Sequence, residues 1–134
     1  IIIRPIQSKV SEFCTQLTTI TQDMVDGGMT FRSACEHLET MYKSRYRPWA
    51  SYGNYDRRQF ETLCRDFQIR YPFSPSHINI KTLFAVKHKL VTEIGMSQAL
   101  QLLGIPLEGT HHRGGDDSKN IAKILKSLLS RKGD

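Results

Sequence analysis

From Thr30 onward, apolar residues recur at helical spacing: Phe31, Ala34, Cys35, Leu38, Met41 and Tyr42 fall on one face. The same periodicity predicts a helix from about Tyr55 to Phe67, with Phe60, Leu63, Cys64 and Phe67 as its stripe. Leu83, Phe84 and Val86 open another helix. Met96, Ala99, Leu100 and Leu103 form a short one closed by Gly104, with Pro106 just beyond. A last helix is predicted from about Asp116 to Ser130, with Ile121, Ile124, Leu125, Leu128 and Leu129 on its apolar face. Val10 to Leu17 reads as a short helical turn capped by Ser11, and Thr18 to Gly28 as a polar loop or short helix. Strand signals are fewer. Ile1 to Arg4 is a β-branched run stopped by Pro5; Arg47 to Tyr52 is broken by Gly53-Asn54; Ile78 to Ile80 is a strand or extended lead-in. Strands alternating with helices suggest an α/β layered domain, with few strands for a sheet of ordinary size.

The length of 134 residues suits one domain, and 39% apolar with 24% charged residues excludes disordered, collagenous and membrane classes. Lys and Arg number 19 against 13 Asp and Glu, a surplus of +6 that suits a polyanionic partner or plain solubility. Cys14, Cys35 and Cys64 lack the close pairing of a zinc site and read as free, mostly buried thiols in a reducing compartment. No apolar run suits a membrane span and no export signal is visible, so a cytoplasmic location is expected. The chain opens mid-pattern on Ile1-Ile2-Ile3 without Met, which suggests a fragment.

Two acids sit where apolar residues are expected. Phe60 minus four is Asp56, and Ile121 minus four is Asp117. Each stands at the first position of a core-facing stripe, near a helix N-terminus. A carboxylate directed along a buried face needs backbone N–H groups, an Arg or a metal ion beside it. Both acids also suit N-caps, and that reading stays open. Asp116, four before the polar Asn120, lies off the stripe and is expected to face water. The loop His112-Arg113-Gly114-Gly115-Asp116-Asp117 sets an imidazole five residues ahead of the inward acid. An imidazole beside carboxylates able to hold divalent metal outlines metal-assisted hydrolysis.

The stretch His112 to Ala122 resembles the third motif of the DEDDh 3′→5′ exonuclease superfamily, in its histone-mRNA and small-interfering-RNA exoribonuclease branch with bacterial relatives. Ser51 to Asp56 resembles the second motif. Arg4-Pro5, Ser11 to Cys14, Leu17 to Thr21 (with Thr19 where members usually have Gly) and Ile78 to Lys81 add further similarity. The resemblance implies an RNase H-like three-layer α/β fold, a mixed central sheet flanked by helices. It implies two Mg²⁺ or Mn²⁺ ions held by four carboxylates, of which Asp56 and Asp117 supply two. It makes His112 the general base, and the reaction the release of nucleoside monophosphates from a 3′ end.

The other two carboxylates belong, in that family, to an Asp-x-Glu motif on the first strand, and no Asp-x-Glu occurs in these 134 residues. The chain is therefore expected to be a single exonuclease-like domain truncated at its N-terminus. Two ions bring four positive charges that two carboxylates hold poorly, so the chain as given is expected to be nearly inactive while the parent protein cuts. A catalytically dead module binding nucleic acid or a protein is the alternative. A basic domain with capped helices and no site is a third reading.

The expected partner is the 3′ end of a single-stranded nucleic acid, RNA favoured. Arg57, Arg58 and Arg113 flank the expected site and are candidates for phosphate contacts. Tyr55, Phe73 and Phe13 are candidates for stacking on bases, with core or rim packing as the competing reading. His111 is expected at the surface, and His37, His77 and His88 are given no role.

Overall fold

Hydroxyl side chains start the first three helices. Ser11 Oγ accepts the Cys14 N–H ahead of α1 (Glu12–Thr18), Thr21 caps α2 (Gln22–Asp26) through Met24, and Thr30 caps α3 (Phe31–Tyr42) through Ser33. The computed structural model describes residues 1–130. After α3 come a 3-10 turn (Ser44–Tyr46), strand β1 (Trp49–Ser51), α4 (Tyr55–Asp66), strand β2 (His77–Asn79), α5 (Ile80–Lys87), α6 (Met96–Leu103) and α7 (Gly114–Leu129). β1 and β2 pair as a small parallel sheet with α4 as the crossover. Ile80 begins α5 and does not extend β2, because Asn79 Oδ1 accepts the Thr82 N–H and starts the helix. No helix among the described residues is long and apolar enough to cross a membrane.

Contacts between Cα atoms group the chain into two units. The first joins Ile1–Trp49 to Arg58–Ser76, and the second joins Ala50–Arg57 to the described residues from His77 onward. In the first unit Phe31, Cys35 and Cys64 are buried, with Ile3, Phe60, Leu63, Ile69 and Tyr71 packed against them. Phe73 stacks on Trp49 with ring centroids 4.3 Å apart and meets Phe60 edge-on at 4.9 Å. Phe73 is thus engaged in aromatic packing, the competing reading for that ring. The Ile1–Arg4 run forms one parallel bridge, Ile3 to Met29. That bridge requires Gly28, since a Cβ there would lie 2.8 Å from the Ile2 carbonyl oxygen and 3.1 Å from the Arg4 nitrogen.

The stripes extend less far than their spacing predicts. Met41 and Tyr42 in the last turn of α3 are exposed, as is Phe67, which lies beyond the end of α4. Periodicity identifies a face, but burial also needs a surface packed against it.

The core of the second unit is Ile80, Phe84, Met96, Ala99, Leu100, Ile124 and Leu128. α5 and α6 both pack on α7. A large side chain removed from water here contributes about 1.5–3 kcal/mol, so this three-helix packing sets how firmly α7 is held. Tyr52 adds a polar tie, its hydroxyl donating to the Ile94 carbonyl at 2.9 Å. Burial, and secondarily the charge of Glu93, push that hydroxyl up to about 12, which keeps it a donor.

All three cysteines are free; Cys35 and Cys64 are buried and Cys14 is exposed. Burial first, then the neighbouring Cys64 thiol, pushes Cys35 up to about 12, and burial also raises Cys64. The reactive species is the thiolate, so one thiol should react with a disulfide reagent near pH 8 in native protein and three in denaturant. Thr19 closes α1 in the left-handed region at φ 64°. Thr19→Gly should therefore stabilise the fold by about 1 kcal/mol in chemical denaturation, as the strain on a β-branched residue outweighs the glycine's chain entropy.

Candidate active site

α7 opens with two acids that reach back over the loop before it. Its N-cap, Arg113, makes no side-chain cap bond. Asp116 Oδ2 accepts the Thr110 N–H at 3.0 Å, and Asp117 Oδ1 accepts the His112 N–H at 3.3 Å. Carboxylates in the first turn are favoured there by the helix dipole and by the amides left open at the helix start. His112 sits at φ 70°, a left-handed position that His tolerates better than most residues. His111 Nδ1 lies 3.0 Å from the same Asp117 oxygen, and the two imidazoles stack with centroids 3.9 Å apart. His111, His112 and Asp117 each offer a ligand atom within 4.8 Å of the others.

The face of α7 is rotated from the one its apolar stripe predicts. Asn120 is 0% exposed, in line with Ile124 and Leu128, while Ile121 and Leu125 are partly buried at the flank. Asn120 Oδ1 accepts the Glu108 N–H at 3.0 Å; its Nδ2 donates to the Glu108 carbonyl at 2.9 Å and the Asp116 carbonyl at 3.0 Å. Asn120 lies off the predicted apolar stripe, yet three hydrogen bonds offset the cost of burying its carboxamide. Asp116, expected to face water, is half-buried for the same reason. Gly109 (φ 75°) packs directly over it, and a Cβ there would lie 2.4 Å from its carboxyl carbon. Asp117, expected to point along the buried face, keeps 23% of its side chain exposed at the flank of α7.

Asp56 stands on the second residue of α4, after a turn fixed by side chains. Ser51 Oγ donates to the Gly53 carbonyl at 2.8 Å and lies 2.8 Å from His77 Nε2. Asn79 Oδ1 accepts the Gly53 N–H at 3.2 Å, and Gly53 at φ 105° occupies a region open to glycine. His77 and Asn79 therefore brace the turn, a role their spacing did not reveal because their partners lie 26 residues away. Asp56 itself is exposed, against the expectation of an inward carboxylate, and it is not among the three residues whose ligand atoms gather at α7. The start of α4 is open to water, so the apolar stripe stops a turn short of Asp56.

The remaining candidates are surface residues. Phe13 is 69% and Tyr55 75% exposed, and Arg57, Arg58 and Arg113 are exposed as well. No packing within the core claims the Phe13 or Tyr55 ring.

The oxygen donors of Asp56 and Asp117 suit a hard divalent cation, which takes one or two carboxylates and fills its other positions with water and phosphate oxygens. A family model described as Exonuclease (RNase T) matches residues 1–125. The chain belongs to the RNase T exonuclease family. This exonuclease-family chain is 33% identical over 137 residues to the 3'-5' exoribonuclease 1 of Rattus norvegicus, covering 95% of the chain and 40% of that protein. It is 26% identical over 122 residues to the probable 3'-5' exonuclease KapD of Bacillus subtilis, covering 88% of the chain and 58% of that protein. Among solved structures it resembles the nuclease domain of 3'hExo, a DEDDh family member determined bound to rAMP. The TM-score is 0.82 at 30% identity, over 95% of this chain and 68% of that one. The fold is accordingly the RNase H-like α/β fold of DEDDh exonucleases, a family dependent on divalent metal. The chain spans about 40% of the length of the exoribonuclease 1 relatives it matches.

Asn120→Ala removes the side-chain partner of both Glu108 backbone groups and a second bond to the Asp116 carbonyl. It should destabilise the fold by about 2–4 kcal/mol, measured by urea denaturation with far-UV circular dichroism. A loss below about 0.5 kcal/mol would show that the carboxamide does not hold the loop.

Proposed function

We propose that the protein is a metal-dependent 3′→5′ exonuclease that releases nucleoside monophosphates from the 3′ end of a single-stranded nucleic acid, RNA favoured over DNA. The observation that carries this is the junction of His112 and Asp117 at the head of α7, in a chain of the exonuclease family. RNA is favoured because relatives are named exoribonucleases, and one solved relative is described by its 3'-end specific recognition of a histone mRNA stem-loop.

In this reading Asp117 and Asp56 hold the cation, Mg²⁺ or Mn²⁺. The ion, when bound, supplies Lewis acidity toward the phosphate and makes water easier to deprotonate. His112 accepts the proton of the attacking water with its imidazole nitrogen. The hydrogen bond from its backbone N–H to Asp117 fixes base and ligand as one piece. Arg57, Arg58 and Arg113 take phosphates by charge-assisted hydrogen bonds, and the exposed rings of Tyr55 and Phe13 stack on terminal bases.

One observation favours the second reading, a module that binds nucleic acid without cutting it. Only two of the four carboxylates that a two-ion site uses are identified here, since no Asp-x-Glu occurs in the 134 residues. We propose that the complete protein supplies that pair ahead of Ile1 and that the 134-residue chain alone cuts poorly.

Two substitutions in the complete protein test the assignment on a 3′-labelled RNA with Mg²⁺. Asp117→Asn should abolish nucleotide release with the far-UV spectrum intact; retention of most activity rejects it as a ligand. His112→Ala should lower turnover by about 10²–10⁴-fold, the usual range for loss of a general base. A wild-type protein that binds the RNA but releases nothing supports the second reading.

A further inference from the structure

His111 lies outside the His112 to Ala122 motif, yet its Nδ1 is 3.0 Å from the carboxylate oxygen that also receives the His112 N–H. The donor set gathered here is two imidazole nitrogens and one carboxylate oxygen, all within 4.8 Å. Such a set does not suit magnesium, which takes oxygen ligands, and does suit zinc and its neighbours in the transition series. In a tetrahedral zinc site with bonds near 2.0–2.1 Å, ligand atoms sit about 3.3 Å apart. The His111–Asp117 pair is within a few tenths of an ångström of that spacing. His111 and His112 are exposed, so their rings can turn to complete it without disturbing the core. The loop is fixed beneath them by Asn120 and Asp116.

We propose that His111, His112 and Asp117 form a binding site for zinc or a similar borderline-soft divalent cation, one that switches the active site off. The inhibitory part rests on the nuclease reading above. A His112 lone pair committed to zinc cannot accept a proton from water, and Asp117 bound to zinc is withdrawn from the hard cation. The fourth position of the zinc stays open to water, the arrangement of three protein ligands and a solvent molecule. By the same ligand chemistry, a large excess of magnesium should not displace the zinc.

The test uses the complete protein and Zn²⁺ alone as the probe, with zinc measured by elemental analysis after equilibrium dialysis against about a thousandfold excess of Mg²⁺. One zinc per chain should remain. His111→Ala and His112→Ala should each weaken retention by about tenfold or more. Cys14→Ser should leave it unchanged, which separates this site from the exposed thiol. Co²⁺ in place of Zn²⁺ should give visible absorption bands of low-coordinate cobalt that His111→Ala removes. No zinc held against magnesium, equal retention by His111→Ala, or loss in Cys14→Ser overturns the proposal. Zinc binding is read without any turnover. Zinc retained through His111 in a protein that releases no nucleotide with Mg²⁺ upholds the site and rejects the nuclease reading. Mg²⁺-supported release unaffected by zinc overturns the inhibitory role.

Discussion

The carboxamide of Asn120 is the contact on which the site depends. It is fully buried on α7 and matches both the donor and the acceptor of Glu108, as a neighbouring strand would. A buried amide without those partners would be costly, so the loop must return to Glu108 for the helix to pack. That return fixes where the loop leaves the core. The two first-turn acids of α7 then hold its middle through Thr110 and His112. The hydrophobic contacts of α7 with α5 and α6 and the polar contacts of the loop thus constrain one another.

The site combines rigid and exposed parts. The backbone of the loop is fixed by buried polar groups, whereas the imidazoles and Asp56 are presented to water. Fixed attachment with exposed side-chain ends is what the proposed nuclease role would use, since its cation and polyanion would arrive from solvent. Asp56 is held differently, through a turn clamped by Ser51, His77 and Asn79. The two acids owe their positions to separate networks, so the loss of one need not disturb the other.

Much of this was legible in the order of residues. The cap Ser11, the onset of a helical pattern at Thr30, the start of α4 at Tyr55, and the span of α6 up to Gly104 all follow from local chemistry. The family resemblance carried by His112 and Asp117 is legible as well, as a matched motif rather than as a derivation. What escaped was whatever depended on a distant partner. Asn120 reads as a polar residue beside an apolar stripe until Glu108 is found against it, and α7 is consequently rotated from its predicted register. His77 reads as a lone imidazole until Ser51 is found across the sheet. Asp56 continues the α4 stripe by spacing, but that first turn lies open to water and the carboxylate stays exposed. His111 and His112 are adjacent in sequence, and only the loop's geometry distinguishes which imidazole nitrogen approaches Asp117.

The bonds that shape the loop ahead of α7 are all short in sequence: the His112–Asp117 contact spans 5 residues, His111–Asp117 6, and Asn120–Glu108 12. Closing loops of that size costs little chain entropy and takes on the order of 10–100 ns. After a local opening, the loop can regain its shape against α7 without waiting for any long-range strand pairing.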